Sequence, residues 1–297
     1  MFYRRITFGI EYTYVFKDSP EEFSNAFSRL INFEFIKRGI GSKTFARDDD
    51  GAVEINSPPF SSLYQAKKFY DVMYECVSRY PLVAKPEHRV CGGGGHIHMR
   101  PPVDDSKKDK LVLYSKLARF LTIHPYIAWM FNEWGDSTTA KNFNEILWDY
   151  RNYPRGSFYG MDYDKTVLNK YDTIRKEINP GHPFYCVGGK TFVLRHDDHV
   201  PGIKPMTFEF RAFDSKESFR DVEDHINFLN AMVAWVDKQS IIPVSPYNTK
   251  GKFLELGEKE KGIEEFRKVI RLLGLPQKRY ERFYSNYLAR VKHGKLV

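Results

Sequence analysis

The segment Cys91–Arg100, CGGGGHIHMR, constrains the fold of this chain more tightly than any other stretch. Its glycines run into two histidines spaced i, i+2, with Ile97 between them and Met99 after. Successive side chains of a strand take opposite faces, so a strand here sets His96 and His98 on one face and sends Ile97 and Met99 into a core. The glycines lack the Lys-Ser/Thr of a phosphate-binding loop and precede a strand rather than a helix. They suit a place where backbone comes close to a ligand. Taken alone, the segment reads as a zinc site or as a glycine-rich turn. The residues opposite the histidines decide between them.

Three further segments repeat the alternation. Glu11 faces away from Ile10 and Tyr12, Glu54 lies between Val53 and Ile55, and Glu209 and Arg211 share a face that excludes Phe208 and Phe210. One such strand would be an ordinary half-solvated strand. Acids, imidazoles and an arginine gathered on short strands instead point to a shared concave site. Carboxylates with imidazole suit Mg²⁺ or Mn²⁺. Arg211 beside them suits phosphate, because its fork pairs with phosphate oxygens and stabilises charge that develops during phosphoryl transfer.

The rest of the chain supplies the frame. Residues 5–16 alternate as a first strand. Ser19-Pro20-Glu21-Glu22 starts a helix that Gly39 closes. Arg47–Gly51 reads as a turn before a short strand at 52–56, and a second helix covers about 61–80. Residues 107–131 read as helical with a break at Pro125, and 164–178 as another helix. Strands are expected at 191–195 and 206–213, then a helix at 216–239. Strands and helices mix without regular alternation, which predicts an α+β fold with a curved, mainly antiparallel sheet covered by helices. The expected organisation is a catalytic domain over 1–240, a connecting loop over 241–257, and a basic helical hairpin over 258–297.

Composition sets outer limits. With 297 residues, 42% apolar and 16% aromatic, the chain is long enough for a real core. No apolar run reaches the length of a membrane span, and the first residues lack a signal-peptide pattern. Three cysteines without finger spacing fit a reducing, cytoplasmic setting. The net charge is +8, and eleven Lys/Arg face five acids from Glu258 onward. Such a patch favours nucleic acid or is a solvated helical face.

GIEY near the N-terminus, then DDDGAVEINSPP, GGGGHIHM and TFEFR, in that order over residues 6–236, resemble the amidoligases of the glutamine synthetase and glutamate–cysteine ligase superfamily. The resemblance implies a curved antiparallel sheet holding ATP and two or three divalent cations. It implies amide formation between a carboxylate and an amine substrate through an acyl phosphate. Motif position makes Glu11, Glu54, His96 and Glu209 metal ligands, with Asp50 an added contact. His98 faces the carboxylate substrate or the metal, Arg211 holds the γ-phosphate, and Lys190 is a candidate nucleotide contact. Relatives commonly carry a second acid two residues after the first, where this chain has Thr13. The replacement ligand would come from Asp48, Asp49 or Asp50; otherwise the enzyme uses fewer metals or has lost activity. His196-Asp-Asp-His199 reads as a polar turn. The acceptor is open between a modified nucleic acid, a peptide and a small amine. The alternatives are a catalytically decayed ligase fold that binds nucleic acid, and a metal-dependent hydrolase built on Glu11, His96, His98 and Glu209.

Overall fold

Strand β1 (Thr7–Val15) is the seam of the molecule in a computed structural model, which describes residues 6–15, 21–41, 45–49, 52–78, 95–100, 113, 116–117, 120, 124, 126–131, 184–187, 192–195, 207–213, 218–240 and 259–292. It pairs with β3 (Ala52–Asn56) on one side and β4 (Gly95–Arg100) on the other. The sheet continues past β3 through β2 (Phe45–Asp49). Past β4 it continues through β7 (Thr207–Phe213), β6 (Phe192–Arg195) and β5 (Phe184–Val187). The order is β2-β3-β1-β4-β7-β6-β5, and these neighbours are antiparallel. The expected mixture of helices around an antiparallel sheet is therefore present.

Two strands depart from the sequence reading. Phe45–Asp49, half of which reads as a turn, is strand β2, with Asp49 opposite Ala52. Asp50-Gly51, the two residues between them, is a dipeptide favoured in two-residue hairpins. The turn signal thus belongs two residues later, and the paired strand satisfies the backbone of the acidic run. Strand β5 was not expected. Its partner is β6, with Val187 opposite Phe192, so Gly188-Gly189-Lys190 lies between two paired strands. Asp50, Lys190, glycines 92–94, His196, His199, the helix expected at 164–178 and the loop expected at 241–257 lie outside the described residues.

One face of the sheet is apolar. Phe8, Ile10, Tyr12, Val53, Ile55, Ile97, Met99, Phe208 and Phe210 are buried in a single cluster. Against them pack helices α1 (Glu21–Lys37), α2 (Leu63–Ser78) and α4 (Phe219–Asp237), the last preceded by a short α3 (Tyr126–Phe131). α1 contributes Phe27, Ile31 and Phe35 at helical spacing, and α2 contributes Ala66, Phe69, Tyr70 and Met73. Gly39 closes the α1 segment at φ 65°. Ile40 N donates to Phe35 O and Gly39 N to Ile36 O, the paired bonds of a left-handed helix end. Ser218 caps α4 by accepting from Arg220 N at 3.2 Å. The break expected at Pro125 falls between the non-helical His124 and the start of α3. Among the described residues no helix is long and apolar enough to cross a membrane.

The two C-terminal helices, α5 (Lys259–Leu272) and α6 (Gln277–Lys292), pack on each other and on α3. Phe131 of α3 is the hub. Its ring meets Phe213, His225 and Phe228 at 5.4, 5.0 and 4.7 Å, and Phe266, Tyr280 and Phe283 at 5.4, 6.4 and 4.9 Å. One aromatic side chain thereby joins β7, α4, α5 and α6. Phe131→Ala is expected to cost about 3–5 kcal/mol, read as a lower denaturant midpoint with an unchanged slope. A loss below about 1 kcal/mol would show that these rings do not pack as one core.

Candidate functional site

The opposite face of β1 and its neighbours is polar, and register decides which groups meet. Glu11 stands opposite His96 on β4 and opposite Asn56 on β3. Gly9 stands opposite His98, and Thr13 opposite Glu54. Glu209 of β7 is in turn opposite His98. Residues directly opposite in an antiparallel pair share a face. The sheet therefore gathers Glu11, Glu54, His96, His98 and the register position of Glu209 from four separate segments. Arg211 lies two positions along the same strand. For Glu209 and Arg211 the strand positions are described, and the side chains lie outside the described residues.

Glu11 is the centre. It is 7% exposed, and His96 beside it is 2% exposed. His96 Nδ1 donates to Glu11 Oε1 at 2.8 Å, and His98 Nε2 donates to Oε2 at 3.0 Å. A carboxylate can only accept, so these bonds fix the protons on Nδ1 of His96 and Nε2 of His98. Coordination by a neutral His96 would accordingly fall to its Nε2, with Glu11 orienting the ring from behind. Burial pushes the Glu11 carboxyl up, but the His96 charge and the bonds from both histidines outweigh it. The group is held well below the usual carboxylate range.

Glu54 is half-buried and takes a different partner. Asn56 Nδ2 donates to its Oε1 at 2.7 Å. Behind this pair, Ser57 Oγ accepts from Ile10 N at 2.7 Å and donates to Pro58 O at 2.9 Å, tying the end of β3 to β1. The two carboxylates are thus diagonal across the β1–β3 seam, each engaged by its own neighbours. Among the described residues no group of three His, Cys, Asp or Glu is already arranged as a metal cage.

Two polar residues of this face escape the sequence reading. Asn56 lies next to Glu54 in the β3 alternation. Arg100 continues the row of His96 and His98 at i+2 and pairs with Thr7. Both signals are present in the sequence, since HIHMR and VEIN alternate through to their last residues.

Acidification reports on Glu11. Its folded pKa lies below its unfolded value, so its contribution to stability is fully present above the unfolded value, near 4.5, and is lost as pH falls through the lowered folded one. Glu11→Gln is expected to flatten the loss of thermal stability between about pH 5 and pH 3. Parallel curves for wild type and variant would show that the carboxylate is not held by the histidines.

No family model matches the chain, and no curated protein matches it. Two solved structures are similar along nearly its whole length. One is described as a novel glutamine synthase homolog, 11% identical, with a TM-score of 0.45, covering 97% of this chain and 66% of its own. The other is a complex between the prokaryotic ubiquitin-like protein Pup and its ligase PafA, 10% identical, with a TM-score of 0.40, covering 98% of this chain and 65% of its own. The chain spans just under two-thirds of the length of each.

Proposed function

We propose that the protein is an ATP-dependent carboxylate–amine ligase that uses Mg²⁺ or Mn²⁺. The observation behind this reading is the buried Glu11 carboxylate received by His96 and His98 on the face that also carries Glu54 and the Glu209 position. These are the positions that the motif resemblance marks as metal ligands. The donor set fits a hard divalent cation: carboxylates from separate strands, with imidazole beside them. Glu11, Glu54, His96 and Glu209 would hold it, with Asp50 an added contact. A bound cation would neutralise phosphate oxygens of ATP.

The chain's own residues divide the remaining work. Glu11 sets the His96 ring and leaves it one coordinating nitrogen. His98 holds the carboxylate substrate. Arg211 pairs with the γ-phosphate and stabilises the charge that spreads over its oxygens during transfer. Lys190 contacts the nucleotide. A carboxylate oxygen attacks the γ-phosphorus and ADP leaves. The amine nitrogen then attacks the acyl carbon, phosphate departs with the C–O electron pair, and the nitrogen gives up its extra proton.

The acceptor amine is small, peptidic or carried on nucleic acid. The second reading, a decayed ligase fold that binds nucleic acid, draws on the basic excess after residue 258. Part of that excess has acidic partners within the chain. Arg279 and Arg282 bind Asp224 on α4 and extend to Glu223 and Asp221, and Lys268 binds Glu264 and Glu265. These pairings favour the ligase reading over the polyanion one.

Incubation with ATP, Mg²⁺ and a panel of carboxylates and amines should release ADP. Glu209→Ala and Arg211→Ala should each lower that turnover by about a hundredfold or more without changing the unfolding midpoint by much. Absence of nucleotide binding and of ADP with every acceptor would overturn the ligase.

A further inference from the structure

Gly9 sits in the polar row of β1 although neither its backbone nor its neighbours require glycine there. The glycines with φ in the left-handed region, among the described residues, are Gly39, Gly41 and Gly274. A Cβ placed on Gly9 would meet His98 Cβ at 3.7 Å and Ser57 Oγ at 3.8 Å, which is ordinary van der Waals contact. Alanine would fit. Glycine inside a strand weakens it, because it adds backbone entropy to the unfolded chain and leaves nothing to pack. A strand glycine that the fold does not demand marks a place where another group comes down close on the backbone.

The surroundings say what kind of group. Gly9 is opposite His98, and Thr7, the next residue of the same row, is opposite Arg100. Gly9, Thr7 and His98 are partly exposed and Arg100 is exposed, whereas Glu11 and His96 are buried. The row therefore has a closed end built around a carboxylate and an open end with an imidazole, a guanidinium and bare backbone. Glu11 accepts from His98 Nε2, which turns its charge toward the ring. A guanidinium fork beside a clearing is suited to a planar or tetrahedral oxyanion.

We infer that Gly9, His98 and Arg100 form a seat for an oxyanion, a carboxylate or a phosphate, laid over β1. The inference rests on reading the polar face as the ligase site and deepens it: one anionic reactant lies at the open end of the row. Gly9 supplies clearance, Arg100 the charge, and His98 the orienting ring. A β-carbon at position 9 would lift the ligand from the backbone.

The test titrates full-length wild type, Gly9→Ala, Gly9→Val and Arg100→Gln by calorimetry with two probes, glutarate and ADP. Gly9→Val and Arg100→Gln should each weaken the same probe by about tenfold or more. Gly9→Ala should unfold at or above the wild-type temperature, because alanine restricts the unfolded chain. Selective loss of glutarate assigns the seat to a carboxylate, and selective loss of ADP assigns it to phosphate. Binding of both probes within about twofold of wild type by both variants overturns the seat, as does a wild-type chain that binds neither. Oxyanion binding that depends on Gly9 and Arg100, in a chain that releases no ADP with any acceptor, keeps the seat and removes the ligase. ATP turnover in a chain whose variants bind both probes normally keeps the ligase and removes the seat.

Discussion

A carboxylate shut away from water must be paired, and in this chain the pairing of Glu11 dictates the arrangement around it. Isolated ionised groups are too costly to bury, while a buried pair broken on one side loses about 3–5 kcal/mol. Glu11 meets that demand with two histidines from a single strand, one to each oxygen. The requirement fixes β4 beside β1 and fixes its register, since a slip by one residue would turn His96 and His98 into the core and Ile97 and Met99 out of it. Burial of the apolar side and pairing of the polar side thus select the same alignment. The polar face is held by the fold's main seam rather than by loops, which is the placement that keeps a reactive geometry precise.

A second buried acid does comparable work far from that face. Asp224 of α4 is fully buried and takes both Arg279 and Arg282 from α6, while Tyr280 donates to its backbone carbonyl at 3.1 Å. Burial pushes the Asp224 carboxyl up, and the two arginines counter that only in part. The cluster fixes how α6 lies along α4, and the rings around Phe131 fill the space between them. Because β7 leads into α4 through Phe213, a ring that stacks on His225 at 4.3 Å, the C-terminal helices bear mechanically on the strand that carries Glu209 and Arg211. Basic residues that look like a polyanion surface in sequence are in part the cations of this clasp.

The legible parts of the sequence were those that depend on one segment at a time. Alternation in GIEY, VEIN, HIHM and FEFR gave both faces of four strands, and Gly39 gave the end of a helix through its backbone freedom. Register was not legible, because it depends on which strands meet. That Glu11 sits opposite both His96 and Asn56, and that Glu54 is engaged by Asn56, follows only from the paired sheet. β5 was missed for a related reason: Phe184–Val187 is short and uniformly nonpolar, without alternation, and becomes a strand by pairing with β6. Arg100 was passed over because it ends the strand, where a lone arginine reads as surface charge. Two rows away, the pairing with Thr7 beside Gly9 gives it a setting.

Register also changes what Thr13 means. An acid at position 13 would stand directly opposite Glu54, and like charges directly opposite destabilise a sheet unless something neutralises them. With threonine there, Glu54 faces no second carboxylate across the seam, and the amide of Asn56 supplies its donor. Glu11, one register pair away, is answered by the histidines. Both acids are therefore satisfied by the chain itself, and the face can fold without a cation to hold it together. A cation entering such a face competes with groups already bonded to its ligands, so its affinity falls and its release becomes easier. Fewer carboxylates at the β1–β3 seam also reduce the charge available to hold several cations at once. The substitution thus shifts the balance from a face organised by metal toward one organised by hydrogen bonds, with the imidazole pair on Glu11 as its fixed point.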